Sequence, residues 1–129
     1  MNPYSAQTQA YRASSVMTAS PEQLVVMLYD GALRFLRQAE AAMTEGAWQH
    51  SGERLGRAEA IVDELLATLN MSAGEIAERL QAIYVFCKRC MIEARIERSP
   101  EKIGHTLRLL SELRGAWAQI PAQTVAAQV

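Results

Sequence analysis

Cysteine, proline and glycine are all scarce in this chain, at two, four and seven among 129 residues. Two cysteines cannot form a disulfide framework, so a reducing compartment is expected and the core must carry the stability. With turn formers in short supply, the apolar content lies mostly in Ala and Leu, both good helix formers. Neither sign of charge is in excess: 13 Lys and Arg stand against 14 Asp and Glu, a formal net charge of −1. Such a balance argues against a nucleic-acid binder, which needs a cationic field to displace counterions from phosphate. No run of eighteen apolar residues occurs, so no membrane insertion is expected. The opening MNPYSAQTQAYRASSVMTAS lacks the cationic start and apolar stretch of a signal peptide. Half of the residues are hydrophobic and 21% are charged, a globular composition with room for one core. A cytoplasmic, single-domain, mainly helical protein is the expectation.

Capping chemistry divides the chain. Ser20-Pro21-Glu22-Gln23 has a Ser N-cap, Pro at the first helical position and Gln at the third, the pattern of a capping box. Ser72-Ala73-Gly74-Glu75 repeats the box, Ser99-Pro100-Glu101 repeats the Ser-Pro start, and Glu45-Gly46 reads as a helix end. Helices are therefore expected near 21–44, 47–70, 73–98 and 100–119. Apolar residues at steps of three and four mark one face of three of them: Trp48, Leu55, Ala58, Val62, Leu65, Leu69; then Ile76, Leu80, Ile83, Cys87, Cys90, Ala94; then Ile103, Leu107, Leu110, Leu113, Trp117. Long helices with short links favour antiparallel neighbours, hence an all-α, up-down four-helix bundle over residues 20–120. An extended or partly helical N-terminal arm (residues 1–19) and a flexible C-terminal tail (residues 121–129) complete the predicted organisation.

The first helix begins with six consecutive apolar or aromatic residues, Leu24 to Tyr29, which cover every direction around its axis. Placing Leu24, Leu28, Gly31 and Phe35 on the inner stripe leaves Val26, Tyr29, Leu33 and Leu36 on a flank. That flank either meets a neighbouring helix or the arm, or forms a groove for an amphipathic segment of another protein. Glycine inside a helix costs about 1 kcal/mol relative to Ala, so Gly31 suggests close approach of another backbone. Asp30 and Arg34 are spaced as a surface ion pair.

No enzymatic site assembles from these residues. Cys87-x-x-Cys90 lies mid-helix on an apolar stripe, without the helix N-terminus that lowers a thiol pKa and without a second pair to complete a metal site. Buried apolar packing is the expected role of both. His105 follows Glu101 at i+4, a surface contact, and no Glu-x-x-His, nucleophile turn or phosphate-cradling glycine motif is present. Neither a cofactor nor a metal is expected. The basic residues of the third helix, Lys88, Arg89, Arg95 and Arg98, alternate with acids as on an ordinary solvated surface. Met27, Met43, Met71 and Met91 read as core filler or as adaptable lining of a groove.

Three stretches resemble a known family. Tyr11 before Ser15-Val16, the run Thr18-Ala19-Ser20-Pro21-Glu22-Gln23-Leu24, and Met27-Leu28-Tyr29-Asp30-Gly31-Ala32 are similar to the flagellar secretion chaperones called FliS. Leu69-Asn70, the segment Leu109 to Arg114, and Trp117 extend the likeness. The resemblance implies a cytoplasmic, non-catalytic export chaperone. Such a protein binds the disordered C-terminal region of flagellin, prevents premature polymerisation and presents its client to the flagellar export gate. Tyr11, Val16, Val26, Tyr29, Leu33 and Leu36 are the expected partner-binding residues, and a monomer or weak homodimer is the expected state. A second reading keeps the bundle but makes it a regulatory adaptor for a signalling protein.

Overall fold

A computed structural model describes residues 20–119. It holds four helices, α1 (Pro21–Thr44), α2 (Trp48–Ala67), α3 (Glu75–Glu97) and α4 (Pro100–Gln119), with a 3-10 turn (Met71–Ala73) between α2 and α3. The arm before residue 20 and the tail after 119, including Tyr11 and Val16, lie outside the described residues.

Local chemistry sets the ends. At α1 the Ser20 amide donates to Gln23 Oε1 at 2.9 Å while Ser20 Oγ accepts from the Gln23 amide, so the expected capping box forms. The helix stops at Glu45, and Gly46 turns the chain at φ +79°, a conformation a side chain would resist. Ser99 Oγ accepts from the Lys102 amide at 3.3 Å and caps α4. The box expected at Ser72 does not form: Asn70 Oδ1 accepts from both the Ser72 amide and hydroxyl, drawing Ser72 into the 3-10 turn. Helix α3 therefore starts at Glu75 behind Gly74, which has φ +79° and no side chain to cap with. Arg98 closes α3 in the left-handed region at φ 53°, costing roughly 1 kcal/mol for a non-glycine residue. Its guanidinium lies 4.5 Å from the centre of the Trp48 ring, a cation–π contact that offsets about 0.5–1 kcal/mol of that strain.

Numbers that rise along one helix fall along the next, as antiparallel packing requires. Gly31 faces Ile61 and Phe35 faces Arg57; Asp63 pairs with Lys88 and Glu59 with Arg95; Asp30 pairs with Arg114 and Gly104 faces Glu40. Helices α2 and α4 each pack against both α1 and α3, so α1 and α3 sit on a diagonal.

The inner stripe of α1 differs from the one expected. Val25, Tyr29, Ala32, Leu33, Leu36, Ala39 and Met43 are buried, whereas Leu24, Val26, Leu28 and Phe35 are only partly covered. Gly31 answers a side chain rather than a backbone: a Cβ there would meet Ile61 Cδ1 at 3.1 Å. Asp30 reaches across to α4 instead of along its own helix, with Arg114 Nε donating to Oδ1 at 2.9 Å. Trp48 and Ile76, each in the first turn of its helix, sit 42% and 56% exposed instead of in the core.

Candidate partner-binding surface

Burial decides where a partner can touch this bundle. Tyr29, Leu33 and Leu36, expected on an accessible flank, are buried in the central cluster, and Val26 is half-buried against it. Their phase is set across the bundle. The Tyr29 and Tyr84 hydroxyls meet at 2.5 Å on the α1–α3 diagonal, and Trp117 Nε1 donates to the Tyr29 hydroxyl at 3.0 Å. Three aromatic side chains from three helices thus converge on one buried polar node. Burial first of all pushes the Tyr29 phenol up to about 12, so it stays protonated and able to donate.

The uncovered apolar surface lies on α3 instead. Val85 (47% exposed), Phe86, Ile92 (44%) and Ile96 (76%) all project from its outer side, opposite the buried Tyr84, Cys87, Met91 and Ala94. Positions 85, 92 and 96 are spaced by seven and four, which stacks them along one line of the helix. A shallow groove of about 550 Å³ runs beside this line, lined by Leu66 from α2 and by Val85, Lys88, Arg89, Ile92 and Glu93. A second, on the neighbouring flank, is lined by Glu78, Gln81, Ala82, Val85, Phe86 and Arg89. Leu66 comes last-but-one in α2 and brings a half-buried side chain to the groove edge. Lys88 is held to Asp63 of α2, and Arg89 projects exposed between the two grooves. An apolar floor with charged edges suits the apolar face of an amphipathic helix.

The sequence reading accounted for the buried side of α3 and passed over the outer one. A signal was present, since Val85, Ile92 and Ile96 repeat at helical spacing out of phase with the buried stripe.

The thiols are core residues. Cys87 is fully buried and Cys90 nearly so, both reduced, and burial pushes the Cys87 thiol up to about 12 and Cys90 upward as well. His105 meets Glu101 at 3.9 Å on the surface, as its spacing indicates. Met43 and Met91 fill the core, while Met27 and Met71 remain 40% and 45% exposed. Among the described residues no cluster of His, Cys, Asp and Glu could hold a metal ion, and no helix is long and apolar enough to cross a membrane.

Residues 4–124 match the family described as "Flagellar protein FliS". The chain belongs to the FliS family. Relatives named flagellar secretion chaperone FliS include that of Vibrio cholerae, 36% identical over 120 residues, covering 89% of this chain and 88% of the relative. That of Salmonella typhimurium is 38% identical over 109 residues, covering 83% of this chain and 81% of the relative. That of Bacillus subtilis is 33% identical, covering 92% and 85%. A crystal structure titled as a flagellar chaperone from bacteria superposes with a TM-score of 0.72 at 20% identity, over 87% of this chain and 94% of that one. The four-helix bundle is therefore the fold of a flagellar chaperone, and the curated relatives of this family are flagellar secretion chaperones.

Proposed function

We propose that this protein binds the disordered C-terminal segment of flagellin in the cytoplasm, prevents its premature polymerisation and delivers it to the flagellar type III export gate, without catalysis. The observation that carries the reading is the outward apolar line of α3, Val85, Phe86, Ile92 and Ile96, with the groove that Leu66 completes. Exposed aliphatic and aromatic side chains gathered on one helix face are the usual mark of an interaction surface. A client without structure of its own can lay an amphipathic helix along α3 and continue over the bundle. Ordering the client costs free energy, which keeps the complex reversible enough for release. Burying the client's apolar face would also withhold the surface by which flagellin subunits pair.

Two substitutions on the line test the reading. Val85 and Ile92 are close to half exposed, so Val85→Asp with Ile92→Asp leaves the core intact while placing two charges in the groove. Affinity for a flagellin C-terminal peptide should fall by tenfold or more, on the order of 1.4 kcal/mol at least. Calorimetry measures the affinity and circular dichroism confirms the fold. Wild-type affinity in the folded double variant would place the client elsewhere and defeat the proposal.

A further inference from the structure

A second surface, on the α1–α2 face, has a different chemistry. The half-buried ring of Phe35 carries three guanidinium groups: Arg34 at 5.2 Å from its centre, and Arg54 and Arg57, one turn apart on α2, each at 5.8 Å. Several charges of the bundle are matched across helices: Asp30 with Arg114, Glu59 with Arg95, Asp63 with Lys88, Glu93 and Glu97 with Lys102. Of the three arginines on the ring, Arg57 alone has an ion pair among the described residues, with Glu53 at 3.6 Å from its Nε and itself 55% exposed. Arg34 and Arg54 have no ion pair among the described residues, and Arg54 Nε is buried without an acceptor. Like charges gathered this closely repel one another, and an exposed cation–π contact contributes only about 0.5–1 kcal/mol toward holding each in place. The cluster is prearranged and under-neutralised.

From this arrangement we infer a docking surface for an acidic polypeptide segment, one that sets carboxylates on successive helical turns beside an apolar side chain. Guanidinium groups from two helices present donors to more than one carboxylate at once, the geometry in which arginine outperforms lysine. Phe35 supplies apolar area in their midst that an inorganic anion could not use. A nucleic acid fits poorly, because the α1 surface turns acidic one to three turns further on, where Glu40, Glu45 and Glu101 line a groove with Arg37. The surface lies on another face of the bundle from the α3 line, so this inference stands independently of where flagellin binds.

The test uses the full chain and a synthetic helical peptide of Glu and Leu with Glu at i and i+4. Its controls are the same peptide with Gln for Glu, and inorganic phosphate. Nuclear magnetic resonance should show the Nε–H signals of Arg34, Arg54 and Arg57 and the Phe35 ring signals shifting with the Glu peptide alone. Arg34→Gln with Arg57→Gln alters two exposed side chains. It should weaken that peptide about tenfold with the helical signal unchanged, while leaving flagellin-peptide affinity as it was; Arg34→Lys with Arg57→Lys should retain an intermediate affinity. Equal binding of the Gln peptide, an unaffected double Gln variant, or peptide-induced shifts confined to α3 would each overturn the inference. Phosphate competing at equal affinity would do so too, by making this a small-anion site.

Discussion

Removing one oxygen atom, in Tyr29→Phe, should cost this bundle more than removing its partner in Tyr84→Phe. Tyr29 is the node: its hydroxyl meets that of Tyr84 at 2.5 Å and accepts from Trp117 Nε1 at 3.0 Å. All three side chains are buried, so solvent cannot replace a lost partner. Phenylalanine at 29 strands the Trp117 donor, costing about 1–3 kcal/mol, and deletes the bond to Tyr84, worth roughly another 1 kcal/mol. Phenylalanine at 84 leaves the Trp117–Tyr29 bond standing, so at this node it costs a single hydrogen bond, about 1–1.5 kcal/mol, and strands no indole donor. In a domain of this size each kcal/mol moves the melting temperature by about 4–8 °C, so the two variants should separate clearly. Urea denaturation at neutral pH, followed by the helical dichroism signal, measures both. Equal losses, or a greater loss for Tyr84→Phe, would refute the node. Alkaline pH supplies a further check. Burial raises the Tyr29 phenol from 10.0 to about 12, so the folded state holds this proton more tightly than the unfolded chain. Its stabilisation is complete below about pH 10 and is lost as pH climbs through about 12, in step with phenolate absorbance. Tyr29→Phe should make that slope shallower without removing it, since burial raises the Tyr84 phenol as well.

Thiol reagents should modify Cys87 slowly at neutral pH and rapidly once denaturant unfolds the bundle, because burial holds the thiol protonated and out of reach; prompt stoichiometric labelling of the native protein would contradict the burial. Cys87→Ala should lower stability by about 1 kcal/mol in the same denaturation assay without changing flagellin-peptide affinity. At the α1–α2 turn, Gly46→Ala should cost roughly 1 kcal/mol, since φ +79° admits a side chain only under strain, and an unchanged denaturation midpoint would show that the turn relaxes.

Helices α1 and α4 were legible to the residue because side-chain caps and prolines mark their starts, and these act within one turn of chain. The start of α3 was not, because Asn70 competes for Ser72 and shifts it to Glu75, and α2 stops at Ala67, short of the expected residue 70. The facing of α1 was beyond local reading. Six apolar residues in a row carry no period, so rotation about the axis is fixed only by what meets the helix from afar. Tyr84 and Trp117 lie 55 and 88 residues from Tyr29, and no spacing within α1 encodes them. The same distance dependence explains Asp30, whose partner is Arg114 on α4 and not Arg34 one turn away.

The misplaced surplus on α1 and the overlooked surplus on α3 have one physical origin. A helix in a four-helix bundle needs an apolar stripe, and residues beyond that stripe must either reach a neighbour or face water. Helix α1 spends its excess inward: Leu24, Val26, Leu28 and Phe35 are partly covered, and Phe35 is roofed by arginines. Helix α3 fills its stripe with Leu80, Tyr84 and Met91, and the small Ala77, Cys87, Cys90 and Ala94 between them let its neighbours approach. Val85, Phe86, Ile92 and Ile96 lie beyond that stripe and remain outside. Polar residues there would leave the core unchanged and improve solubility. Large apolar side chains left facing water after Leu80, Tyr84 and Met91 have filled the inner stripe are not what stability alone favours, and that surplus is the strongest argument that α3 is shaped for a partner.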